Sequence, residues 1–142
     1  MNAASVLLIA LEAIGAGGGA KQMLKLMSET VGMEPDGKSL GIKCGDELSH
    51  NLSCNLGIVR WDGENLSATL DIRFPLCTNE EELMSKISAS VAPYGAEARK
   101  IGGHVPLHVP AEHKIVRGLL KVYNELTGED AKPLASSAMA WA

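Results

Sequence analysis

Arg73 is the side chain in this sequence whose chemistry most plainly asks for a partner. It is the last polar residue of the run 66–74, in which Leu66, Ala68, Leu70, Ile72 and Phe74 share one face and Ser67, Thr69, Asp71 and Arg73 the other. That is the period-two pattern of a half-buried antiparallel strand. A guanidinium in this position has two readings. One is a solvated strand arginine paired with Asp71, a contact worth about 0–1 kcal/mol. The other is a planar fork offered to the carboxylate of a ligand, the group that arginine matches in geometry.

The remaining reactive residues do not assemble into a site. Histidines one helical turn apart can chelate zinc, but Pro106 lies between His104 and His108 and keeps that segment extended. At about 3.3 Å per residue the two rings stand about 13 Å apart, too far for one metal. His50 and Cys54 fail on the same ground, so His50, His104, His108 and His113 are expected on the surface or in loops. No metal site, catalytic residue or Ser/His/Asp set is assigned. The glycine run 15–19 before Lys21 resembles a phosphate loop only superficially. Such a loop needs G-x-x-x-x-G-K-[ST] after a strand; here a helix precedes it and Gln22 stands where Ser or Thr is required. A flexible connector between two helices is expected. Cys44, Cys54 and Cys77 are odd in number and lack C-x-x-C spacing, which points to a reduced, cytoplasmic chain with buried thiols.

The elements that must carry Arg73 fit one domain. With 142 residues, 46% of them hydrophobic, the chain can bury an ordinary core, and with only 4% aromatics that core must be aliphatic and methionine-filled. A net charge of −4 without any basic cluster excludes nucleic acid as a partner. The apolar N-terminal run lacks a basic leader, is interrupted by Glu12 and is too short to span a bilayer, so neither a signal peptide nor a membrane partner is expected.

Periodicity predicts a helix over residues 2–14, ended by the glycine run, and a second over 20–31 with Met23, Leu24, Met27 and Val31 on one stripe and Gly32 as its stop. A short strand over 42–44 precedes a hairpin over 52–75. In its first strand Leu52, Cys54, Leu56 and Ile58 are expected on one face, opposite Ser53, Asn55, Gly57 and Val59. Asp62, Gly63, Glu64 and Asn65 supply the turn, and Pro75 stops the second strand. Thr78 and Glu81 read as a capping box for a helix whose inner face is Leu83, Met84, Ile87 and Val91. A weak strand over 96–101, a proline-rich extended segment over 102–110 and a last helix over 111–127 follow. In that helix Ile115, Val116, Leu119, Leu120, Tyr123 and Leu126 are expected inside, with Gly128 past its end. Striped helices beside one-faced strands predict an α+β fold: a two-layer sandwich, an antiparallel sheet with helices on one face, in a ferredoxin-like arrangement.

The run DGKSLGIKCGDELSHNLSCNLGIVRWDGENLSATLDIRFPLCTNEEEL, continued by VPLHVPAEHKIVRGLLKVYNELTGEDAKPLA, resembles the dinuclear-zinc dipeptidases of the PepV and carnosinase-like type, within the aminoacylase/carboxypeptidase superfamily of metallopeptidases. The most specific pieces are Asn55-Leu56-Gly57, Asp71-Ile72-Arg73-Phe74-Pro75, Thr78-Asn79, and Thr127-Gly128-Glu129 through Pro133-Leu134. The resemblance implies a lid domain over residues 1–135, with 136–142 returning toward a catalytic domain. That catalytic domain would hold two zinc ions through His, Asp and Glu ligands and hydrolyse dipeptides in the cytoplasm. The resemblance places the zinc-binding H-x-D motif and Glu-Glu pair upstream of this segment, the late zinc histidine downstream of it, and the lid histidine that polarises the scissile carbonyl just before Met1, so none of them is carried over to a residue here. This segment by itself is therefore expected to be inactive and without cofactor. The family's carboxylate-binding arginine aligns with Arg73, which is the one substrate-binding residue carried over. After Ala135 the family continues into a glycine-rich turn, where this chain reads SSAMAWA; no residue is carried over from it. The alternative is a free-standing α+β binding or self-association module, pairing through its hairpin or proline-rich edge.

Overall fold

A computed structural model describes residues 2–15, 18, 21–31, 34–104 and 106–134. Helix α1 (Ala3–Ala13) starts at Asn2, whose Oδ1 accepts the backbone N–H groups of Ala4 (2.9 Å) and Ser5 (3.3 Å). Those are two of the four donors that a helix start leaves unpaired. Helix α2 (Lys21–Leu26) passes directly into a π-helical turn, Met27–Val31. The predicted stop at Gly32, and most of the glycine connector between the helices, lie outside the described residues.

The strands form two antiparallel hairpins. The small one pairs β1 (Gly45–Asp46) with β2 (His50–Asn51), and the large one pairs β3 (Ser53–Trp61) with β4 (Leu66–Arg73). The expected strand at 42–44 is displaced to β1. Residues 96–101 have no regular secondary structure and pair with no strand among the described residues, so the sheet layer consists of two separate two-stranded sheets. Strand β3 has nine residues against eight in β4, and the register slips between Leu56 and Ile58. Gly57 is the extra residue of a β-bulge, which reverses the alternation beyond it. Ile58, predicted inside, is therefore 46% exposed, while Val59, predicted outside, packs against the core.

Helix α3 (Glu80–Val91) is capped by Asn79, not by the predicted Thr78: the Asn79 Oδ1 accepts the Glu82 N–H at 2.9 Å. Thr78 instead donates its hydroxyl to the Glu82 carboxylate. The helix tightens into a 3-10 turn, Ala92–Tyr94, and stops at Gly95, whose φ of 71° suits glycine. Two clusters then join helices to hairpin. Leu40, Ile42, Leu52, Cys54, Leu83, Ile87 and Val91 form one with Leu26, and Leu8, Leu24, Met27 and Leu56 form the other. Leu70 of β4 borders both. The fold is α+β, with helices α1–α3 gathered on the apolar face of the hairpin.

Helix α4 (Lys114–Thr127) departs from expectation. None of its residues is buried. Ile115, Leu119, Val122, Tyr123 and Leu126 recur at helical spacing, yet they are 58%, 67%, 54%, 48% and 82% exposed. Ile115, Leu119, Tyr123 and Leu126 belong to the predicted inner face and Val122 does not, while the predicted Val116 and Leu120 are only partly buried; none of the described residues covers the stripe. No helix among the described residues is long and apolar enough to cross a membrane.

Candidate functional site

Arg73 is the last residue of β4 and lies opposite Ser53, while Asp71 lies opposite Asn55. The flanking pairs Cys54–Ile72 and Leu56–Leu70 point into the core. Because side chains alternate across a strand, burial of those pairs turns Ser53, Asn55, Asp71 and Arg73 to the outer face. Asn2 extends this polar row: its side-chain amide donates to Asn55 Oδ1 and to the Leu56 carbonyl, each at 2.7 Å. One asparagine thus caps α1 and ties it to β3.

The Arg73 guanidinium is half-exposed, its side chain retaining 37% of its accessible surface, and it stands 3.7 Å from the Asp71 carboxylate. At that length the contact is a loose ion pair. Asp71 is itself mostly exposed, and pairs of that kind contribute about 0–1 kcal/mol. The guanidinium keeps donors for a second carboxylate, and a bidentate partner would bind it far better than Asp71 does.

Both ends of this position are anchored. The β3 ladder holds one side. On the other, Phe74 packs on the core and Pro75 is fully buried. The turn that follows is clipped to the small hairpin, since the Leu76 N–H donates to Ser49 Oγ at 2.8 Å and the Cys77 N–H to Asp46 Oδ2 at 3.2 Å. Asp46 also accepts from the backbone and hydroxyl of Ser49 and from the Leu48 N–H. These donors, Ser49 foremost, hold its carboxyl below the ordinary carboxylate range. Sequence reasoning missed both ties, Asn2–Asn55 and Asp46/Ser49–turn. The Asp-x-x-Ser spacing does signal a side-chain-closed turn, but its distant partners have no local signature.

The four histidines are exposed, as expected. His113 caps α4, its Nδ1 accepting the Ile115 N–H at 3.3 Å, and His50 opens β2 at φ 65°. Among the described residues no group of three or more His, Cys, Asp or Glu is arranged to hold a metal, so the residues present do not fit a zinc site. The expectation of buried thiols holds for Cys54, is intermediate for Cys44 and fails for Cys77, which is exposed because its turn runs along the surface. Burial pushes the Cys54 thiol up to about 11.

The chain matches no protein-family model. It is similar to "Putative dipeptidase YtjP" of Bacillus subtilis, at 30% identity over 112 residues, which is 78% of this chain and 24% of that protein. It is also similar to "Putative dipeptidase SAR1836" of Staphylococcus aureus, at 22% identity over 134 residues, 94% of this chain and 29% of that protein. A further relative, "Putative dipeptidase SAUSA300_1697" of Staphylococcus aureus, is 22% identical over 98 residues, 68% of this chain and 21% of that protein. The similarity is to one part of each. The chain spans about a quarter of the length of the curated relatives it matches.

Proposed function

We propose that this chain forms part of the lid of a dinuclear-zinc dipeptidase, and that Arg73 binds the substrate carboxylate when the lid closes. The observation that carries the reading is the placement of Arg73: a loosely paired guanidinium on the outer face of a strand end anchored on both sides, in a chain similar to part of several dipeptidase-named proteins. The zinc ions would be held by residues other than those described, in the cytoplasmic enzyme of which this chain would be a segment. A closing lid that excludes water strengthens an arginine–carboxylate pair, because the charges then meet in a lower dielectric. The uncovered stripe of α4 supports the same reading. Five exposed apolar side chains on one helix face are stable in a longer protein that covers them.

A second reading, a free-standing association module, is favoured by that same stripe, which a second copy could cover. Sequencing the source gene on both sides of this segment separates the two. The dipeptidase reading expects a His-x-Asp motif and a Glu-Glu pair upstream and a histidine downstream. In the enzyme so encoded, Arg73→Ala is expected to cost roughly 2–5 kcal/mol in kcat/KM toward dipeptides, a loss of about 30-fold to several-thousand-fold. A gene without those flanking motifs, or a loss of less than about threefold, overturns it.

A further inference from the structure

Cys44 and Cys77 are distant in sequence, yet the turn that carries Cys77 is bonded to Asp46 and Ser49, just beyond Cys44, and the Cys77 thiol is near enough to influence the ionisation of Cys44. The fold imposes that proximity. Cys44 immediately precedes β1, and its carbonyl accepts the Leu52 N–H at 2.9 Å. Two residues on, Asp46 takes the Cys77 N–H, and Ser49, which is buried, takes the Leu76 N–H. Buried Pro75 fixes the other end of the same turn. The backbone on both sides is thus held by bonds that do not involve sulfur. Cys77 is exposed to solvent, Cys44 is partly shielded, and Cys54 is buried in the core with Leu52 and Leu83.

We infer that Cys44 and Cys77 form a reversible intramolecular disulfide when the chain meets a low-molecular-weight disulfide such as oxidised glutathione. The Cys77 thiolate attacks one sulfur of the oxidant, forming a mixed disulfide and expelling one thiolate. Cys44 then gives up its proton and attacks the Cys77 sulfur, expelling the second thiolate. Two protein thiols are oxidised to one disulfide, and one small disulfide is reduced to two thiols. The order follows from exposure: Cys77 is the thiol the oxidant can reach. It also agrees with the Cys44 thiol being pushed up to about 11, by burial and then by the neighbouring Cys77, which keeps it protonated until the mixed disulfide forms. The bond would cross-link the start of β1 to the turn after β4, where Asp46 and Ser49 already join them. This proposal does not depend on the dipeptidase reading.

The test is to reduce the full chain, incubate it with oxidised glutathione, block remaining thiols and map the peptides. The expected result is a monomer that has lost two of its three titratable thiols, with the Cys44 peptide joined to the Cys77 peptide and Cys54 alkylated only after unfolding. Dithiothreitol restores all three. Cys44→Ser is expected to leave glutathione attached at Cys77. A wild-type chain that keeps glutathione on Cys77 with Cys44 free, a dimer linked through Cys77, a disulfide involving Cys54, or no oxidation at all would each overturn the proposal.

Discussion

Two substitutions of the same chemistry, Leu40→Ala and Leu119→Ala, test the division between packed core and uncovered helix. Leu40 is 1% exposed, in the cluster with Ile42, Leu52, Leu83 and Ile87. Truncation to Ala removes three carbons, and at about 0.8 kcal/mol each the lost transfer free energy is about 2.4 kcal/mol. The cavity left in a cluster held on three sides adds about 1–2 kcal/mol. The sum, about 3–4 kcal/mol, corresponds to a fall in Tm on the order of 10 °C for a domain of this size. Leu119 is 67% exposed and in no buried cluster. Its truncation opens no cavity, and Ala is the better helix former, so stability should stay within about 0.5 kcal/mol of the parent. Urea unfolding of the isolated chain, followed by far-UV circular dichroism at low protein concentration, measures both. With m of about 1.5–2 kcal/mol/M the Leu40→Ala midpoint should drop by about 2 M while that of Leu119→Ala barely moves. Equal losses would refute the reasoning, because they would mean that the α4 stripe is packed within this chain.

Two pH limbs follow from the shifted groups. The Asp46 carboxyl lies below its ordinary value of 3.8 because Ser49, Cys77 and Leu48 donate to its charged form. Its contribution is therefore present above pH 3.8 and is lost as pH falls through the lower folded value. Asp46→Asn should flatten this acid limb in a series of thermal melts; an unchanged limb would show that other carboxylates govern it. Burial raises the Cys54 thiol from 9.0 to about 11. The folded chain thus holds a proton that the unfolded chain releases, so stability is full below pH 9.0 and declines as pH rises toward 11. Cys54→Ala should lower stability at neutral pH yet shallow that alkaline decline, and a parallel decline in both proteins would exclude the thiol as its cause.

Much of the local structure is written in short-range sequence. Helix α1, the β3–β4 hairpin, helix α3 and the Gly128 stop follow from periodicity and turn chemistry, because each is decided by residues within a few positions of one another. The capping shift from Thr78 to Asn79 shows the limit of such signals, since adjacent polar residues compete for the same helix start and packing chooses between them. Arg73 was also legible, as the polar end of an alternating strand. How it is held was not: Asn2 reaches Asn55, and Asp46 reaches the Cys77 N–H, across separations that leave no local pattern. The bulge at Gly57 likewise belongs to pairing between strands, and it alone determines that Val59 rather than Ile58 meets the core. Helix α4 marks the boundary most clearly. By itself the sequence determines that residues 115–126 form an amphipathic stripe, because that depends only on 3.6-residue spacing. Whether the stripe is buried depends on a complementary surface at the right place, and only the tertiary structure shows that helices α1–α3 have already covered the apolar face of the hairpin and left α4 none.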